Sequence, residues 1–193
     1  MRQSAILLIG MLGAACAGAP PVAQKAPNIY EGAPDWVKKG GAAFSGDHGK
    51  AFYGVGRISD IMNPASRSDL AEAKARAAVG DIMNQYVSKL TKIYNEATSQ
   101  STAAGVSPQE DQRAEQALKT FTSAQLNGVE IVDRWISQDN STEFALAKLD
   151  FDGFRDSVQK AHELSDRMRD VIKAHSDAAF VELNAEEAKH RTQ

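Results

Sequence analysis

The chain has 193 residues, 42% of them apolar and 24% charged, with a formal net charge of −3 at pH 7. That length and apolar share suit one domain with a sizeable core, and 6 prolines and 14 glycines exclude a collagen-like or low-complexity chain. A slightly acidic chain has no electrostatic footprint for nucleic acid, whose binding rests on clustered Lys and Arg, so no nucleic-acid partner is expected.

Met1-Arg2-Gln3 makes a short positive start, and residues 5–15 form an uncharged apolar run. The run falls well short of the roughly 20 apolar residues a spanning helix needs, so it reads as a cleavable export signal. Gly13, Ala14 and Ala15 precede Cys16, the single cysteine. Small residues let the segment enter a peptidase extended, and the thiol behind them accepts diacylglycerol. Residues 1–15 are therefore expected to be a lipoprotein signal peptide, with Cys16 as the lipidated first residue of the mature chain. The box departs from the usual pattern in one place: Gly13 stands three residues before the cysteine, where leucine is customary, and Leu12 stands four before. The alternative is a plain secretory signal cut after Ala17-Gly18-Ala19, giving a soluble periplasmic protein. It sets Pro20 directly after the cut and leaves an unexplained thiol in an exported chain. Ala17, which is not an aspartate, points a lipoprotein to the outer membrane. Its acyl chains, at about 0.8 kcal/mol per buried methylene, are the expected membrane contact.

Pro20, Pro21, Pro27 and Pro34 crowd the next stretch. Residues 16–33 are expected to be a Pro/Ala-rich tether that could hold the domain on the order of 50 Å from the lipid surface. The domain, expected over 34–175, starts where Trp36 supplies a large side chain that is costly to leave in water. Residues 40–50 read as a loop and residues 51–58 as a strand, in which Gly54 and Gly56 imply close backbone approach or a bulge. From Asp69 the period becomes helical, with Asp69 and Glu72 as a capping box and apolar positions from Ala75 to Tyr94 recurring every three or four residues; the helix should end near Thr98. Ser107-Pro108-Gln109-Glu110 starts a second helix ending near Asn127-Gly128.

Two strands follow, 129–137 and 142–150, joined as a hairpin through Gln138-Asp139-Asn140-Ser141. Val129, Ile131, Trp135 and Ile136 are expected to share one packed side. Asp150 and Asp152 flank the next strand-to-helix junction, where carboxylates cap free amides. A last helix of nearly 40 residues is expected from Phe151 or Asp152 towards Lys189. It would be about 60 Å long, more than the domain can cover, so residues 176–193 are expected to project as a tail carrying Phe180 and Leu183 as a partner-seeking stripe. The fold class is α+β: a small antiparallel sheet of about three strands, a long helix between strands 1 and 2, and a long C-terminal helix.

Catalytic equipment is sparse. Gly54-Val55-Gly56 lacks the third glycine and the following helix of a dinucleotide loop. Gly46-Asp47-His48-Gly49-Lys50 has Phe44 where a P-loop needs its first glycine and Ala51 where it needs a hydroxyl. His48, His162, His175 and His190 show no i, i+4 pair for zinc; Asp47 beside His48 reads as a solvated loop, and His162 as a boundary residue of the apolar stripe. With the cysteine committed to lipid, thiol chemistry is absent. No nucleophile–base pair suggests a hydrolase. No enzymatic activity, cofactor, catalytic residue or metal site is expected.

Pro34-x-Trp36 behind a lipidated cysteine, Tyr53-Gly54-Val55-Gly56 closing a strand, Ala71-x-x-x-Ala75-x-x-Ala78 opening a helix, the 129–135 strand and Ala145-Leu146-Ala147-Lys148-Leu149 together resemble the LPP-twenty family of small bacterial surface lipoproteins, over roughly residues 34–165. The resemblance implies an envelope lipoprotein without established enzymatic chemistry, sometimes linked to flagellar or outer-membrane surfaces, and it brings no catalytic residues. The expected function is a lipid-anchored outer-membrane protein that binds or scaffolds other envelope components, through an envelope protein partner or self-association, at its sheet edge or terminal helix. The alternative is a periplasmic ligand-binding or peptidoglycan-associated module with a pocket near Trp36, Tyr53 and Trp135.

Overall fold

The computed structural model describes residues 28–44, 50–100 and 108–191. The expected signal, Cys16, the first part of the expected tether, Asp47, His48 and Ser107 lie outside them. The elements run α1 (Asp35–Lys39), a 3-10 turn (Gly40–Phe44), β1 (Ala51–Ser59), α2 (Pro64–Gln100), α3 (Pro108–Gln125), a second 3-10 turn (Leu126–Gly128), β2 (Glu130–Ile136), β3 (Thr142–Asp150), α4 (Phe151–Lys160) and α5 (Asp166–Arg191). The sheet is antiparallel in the order β1-β3-β2. This is the α+β class expected, with the long helix between the first two strands and a long helix at the C-terminus.

The start of α2 comes five residues before Asp69. Asn63 accepts a hydrogen bond at Oδ1 from the Ser66 amide at 3.1 Å, and Pro64 occupies the first helical position, where its missing N–H costs nothing. Asp69 and Glu72 lie inside the helix. Glu72 meets Arg76 at 3.1 Å and Arg134 of β2 instead of capping.

β1 and α2 approach until their backbones nearly touch. A Cβ on Gly54 would lie 2.4 Å from the Ala75 carbonyl oxygen, and one on Gly56 would lie 2.0 Å from that of Ala71. The glycines therefore serve close approach, and the continuous register from Ala51↔Asp150 to Ser59↔Thr142 leaves no bulge in β1. Opposite them α2 presents Ala71, Ala75 and Val79, all fully buried.

Because β3 is central, both its faces are covered. Ala145, Ala147 and Leu149 join the main core under α2, while Phe144 and Leu146 face a second cluster on the other side. That second face is covered by a strap formed from residues 28–44. Tyr30 and Ala33 belong to it, Tyr30 with its ring 6.0 Å from that of Phe144. The end of the expected tether is thus part of the fold, because Tyr30 is an aromatic group the sheet face can bury.

In β2 the register slips between Ile131 and Asp133, so Val132 is bulged. The bulge breaks the alternation that would have set Val129, Ile131 and Trp135 on one side: Val129 and Ile131 meet the main core and Trp135 meets the strap cluster, while Ile136, next to Trp135 and so on the opposite side from it, is exposed, against the expectation that all four share one side.

The terminal helix is two helices. Asp150 caps α4, its Oδ2 accepting from the Gly153 amide at 2.6 Å, as its place at the junction suggested. The helix stops at Lys160, and Ser165 starts α5, its Oγ accepting from the Met168 amide at 3.3 Å. The Arg169 guanidinium donates to the carbonyls of Ala161 and Leu164 at 2.7 and 2.5 Å, which stabilises the turn. Val158, Ala161, Leu164 and Met168 keep a helix-like spacing across this turn, and all four are buried; continuity of spacing therefore concealed the break. His162 is exposed in the turn, and His175 is exposed on α5.

Candidate functional site

α5 returns along the body instead of projecting. Phe180 is 6% and Leu183 0% exposed. The Phe180 ring lies 5.1 Å from Phe52 and 4.4 Å from Phe151. The Tyr86 hydroxyl donates to the Ser176 carbonyl at 3.3 Å, and burial pushes that phenol well above its ordinary pKa. Lys89 meets Glu182 and Glu186 at 3.1 and 2.9 Å; the hydrogen bond from its ammonium to Glu186 holds its pKa above the usual lysine value. The expected partner-seeking stripe at Phe180 and Leu183 is core, because the turn at 161–165 lets the same apolar face cover α2 and the end of β1.

Trp36, Tyr53 and Trp135 do converge, on the strap side of the sheet. Trp36 is 5% exposed, and its indole Nε1 donates to Asp133 Oδ2 at 2.7 Å. The Tyr53 ring stacks on Phe44 at 4.1 Å, and Trp135 tilts against Phe144 at 5.6 Å. Each ring is thus matched with a side chain of this chain, and Trp36 with Val37 fills the centre. The three aromatics belong to one packed cluster.

What the sheet does offer outward is β2. Among the described residues it pairs only with β3, and Glu130, Val132, Asp133, Arg134 and Ile136 are exposed along it. Val132 and Ile136, at 45% and 44%, are large aliphatic groups on an edge whose outer side has no ladder partner among the described residues. Arg134 is held by Glu72, and Asp133 by the Trp36 indole, so the charged residues of the edge are oriented from both faces of the sheet. Sequence reasoning placed Val132 and Ile136 inside a strand without seeing that the strand is an edge. Edge position depends on the pairing order, and no local pattern encodes it.

Two further groups of charged side chains tie elements together. Arg67 Nε meets Glu143 Oε2 at 3.2 Å with both side chains buried. Arg67 also donates to the Asn140 carbonyl at 2.7 Å and to its Oδ1 at 3.0 Å, and Ser68 Oγ donates to Glu143 Oε1 at 2.7 Å. Asp177 accepts from Lys50, which holds its carboxyl below the usual carboxylate range. Among the described residues no group of three or more His, Cys, Asp and Glu side chains could hold a metal ion, and no helix is long and apolar enough to cross a membrane. Neither a family model nor a curated protein matches the sequence.

Proposed function

We propose that this chain is a non-catalytic lipoprotein of the bacterial outer membrane, anchored through diacylglycerol on Cys16 and binding or scaffolding other envelope components at the β2 edge. The order of features along the sequence carries the reading: a charged start, a short apolar run, small residues, a single cysteine, a proline-rich stretch, and then a fold that begins with a strap. Membership of the LPP-twenty family is part of the same proposal and rests on the motifs around Trp36, Gly54, Ala71 and Ala145. The exposed edge supports the binding role, because a partner strand there gains main-chain hydrogen bonds and apolar contact with Val132 and Ile136 at once.

The experiment is acyl labelling and membrane fractionation of the full chain beside Cys16→Ala, with and without globomycin. Label and membrane retention should both be lost in the variant, and globomycin should leave an unprocessed precursor. Retention of Cys16→Ala in the membrane fraction would sink the anchor. For the edge, a photo-crosslinking residue at position 132 should capture an envelope protein that one at exposed position 70 does not.

A further inference from the structure

The strap holds to the sheet through side chains. The hydrogen-bond ladder pairs β3 with β1 and β2, whereas the amides of Glu31, Ala33, Val37 and Gly40 donate to the carbonyls of Asn28, Tyr30, Pro34 and Trp36, all inside the strap. Across to the sheet, the Trp36 indole donates to Asp133 at 2.7 Å, the Arg57 guanidinium donates to the Tyr30 hydroxyl at 3.3 Å, and the Phe44 ring lies 4.1 Å from that of Tyr53. The strap has little structure of its own to hold it in place. α1 has five residues and is followed by a single 3-10 turn, far below the ~12–15 residues at which an isolated helix is even marginal in water. Of residues 28–44 only Ala33, Trp36, Val37 and Gly40 are buried.

The two clusters of the fold are also separate. Among the described residues, the main core under α2 contains none from the strap, and the cluster beneath the strap contains none from α2, α3, α4 or α5. Lifting the strap therefore opens the second cluster and leaves the first closed. A segment with few buried apolar groups that stands outside the ladder has the character of a unit that opens well below global unfolding. What it covers is Tyr53, Val55, Trp135, Phe144 and Leu146, three rings and two aliphatic side chains on one sheet face. Such a patch, once exposed, is the mark of an interaction surface. Trp36 is the contact that closes it: its apolar body is buried, and its indole N–H reaches the edge strand β2.

We propose that the strap is a releasable cover, latched by Trp36, that lifts as a unit from a sheet that stays folded and so bares an aromatic face. The device is separate from the lipid anchor and from the β2 edge, and it stands or falls independently of them.

Two measurements on the full chain in detergent micelles test it. The chain has two tryptophans, Trp36 and Trp135, and both belong to the strap cluster, so tryptophan emission follows the cover while far-UV circular dichroism follows the helices. In urea the emission change should come about 1 M or more before the loss of helical signal; coincident transitions, the mark of a single cooperative unit, would overturn the proposal. The second measurement compares Leu146→Cys with Ala147→Cys, neighbours on opposite faces of β3 that are 2% and 0% exposed. Iodoacetamide labelling without denaturant, read by peptide mass, should be at least tenfold faster at position 146 than at position 147. Adding Trp36→Phe, which keeps a ring and removes the N–H, should speed labelling at 146 a further fivefold or so and leave 147 unchanged. Equal labelling at the two positions, or equal acceleration of both by Trp36→Phe, would show that the strap opens only when the whole fold does and would likewise overturn the proposal.

Discussion

Gly56 shows how a single residue governs the approach of two elements. The Ala71 carbonyl oxygen lies 2.0 Å from where its Cβ would be, and the Ala75 amide nitrogen lies 2.5 Å away; both are backbone atoms of a helix that cannot move without shifting its whole buried face. Overpacking of this kind costs about 1–3 kcal/mol and occasionally more. Gly56→Ala should fall at the upper end and lower Tm by roughly 6–12 °C, read by thermal circular dichroism. Asp139 acts on another part of the structure, the hairpin turn, where its carboxylate accepts from Ser137 Oγ at 2.6 Å and from the Ser141 amide and hydroxyl. The Ser137 hydrogen bond, with those from Ser141, lowers its pKa below the ordinary 3.8. A depressed folded-state pKa means that the contribution is fully present above the unfolded value and is lost as pH falls through the folded one. Denaturant unfolding should show Asp139→Asn less stable than the parent near neutral pH, and the difference should shrink towards zero once the pH drops well below 3.8.

At the scale of elements, β2-β3 and α2 are joined by the buried pair of Arg67 and Glu143. Arg67 also ties the Asn140 carbonyl and side chain at the hairpin turn to the first turns of α2. Two buried charges hold each other out of water, and removing one strands the other at a cost of about 3–5 kcal/mol. Urea unfolding should show that loss for Arg67→Ala, whereas the double variant Arg67→Met, Glu143→Leu should recover most of it, since an apolar pair leaves no charge to desolvate. Element boundaries were legible where a side chain caps a helix within a few residues, as at Asp150. They were illegible where two signals competed. Asn63-Pro64 and Asp69-x-x-Glu72 both resemble helix starts, and only the nearness of α2 to Arg134 shows that Glu72 is occupied elsewhere. The turn between α4 and α5 was hidden for a related reason: Ser165 is a readable cap, yet the buried spacing of Val158, Ala161, Leu164 and Met168 continues through it.

For the molecule as a whole, the decisive contact is that of α5 with α2 and β1. It turns Phe180 and Leu183 from an expected interaction stripe into core. Leu183→Ala should therefore destabilise by about 2–5 kcal/mol in chemical unfolding; a change within about 0.5 kcal/mol, usual for a surface position, would instead match a projecting tail. The same scale decides the fate of the three aromatics. Trp36, Tyr53 and Trp135 were grouped in the sequence as the lining of an alternative ligand pocket, and they do share one face. The strap brings Phe44 onto Tyr53 and sets Trp36 in the same cluster.

The amino-acid sequence alone determined the α+β class, the succession of the three strands and of the two helices between the first and second, and two glycines that mark either close approach or a bulge, because periodicity, caps and missing side chains act over a few residues. It also carries the whole basis for the proposed anchor at Cys16. Only the tertiary structure decided that β3 is central with β1 and β2 at the edges, which face the strap covers, and that the C-terminal helix folds back. Those outcomes depend on which residues distant in sequence become neighbours, and an apolar stripe specifies that it must be buried without specifying by what.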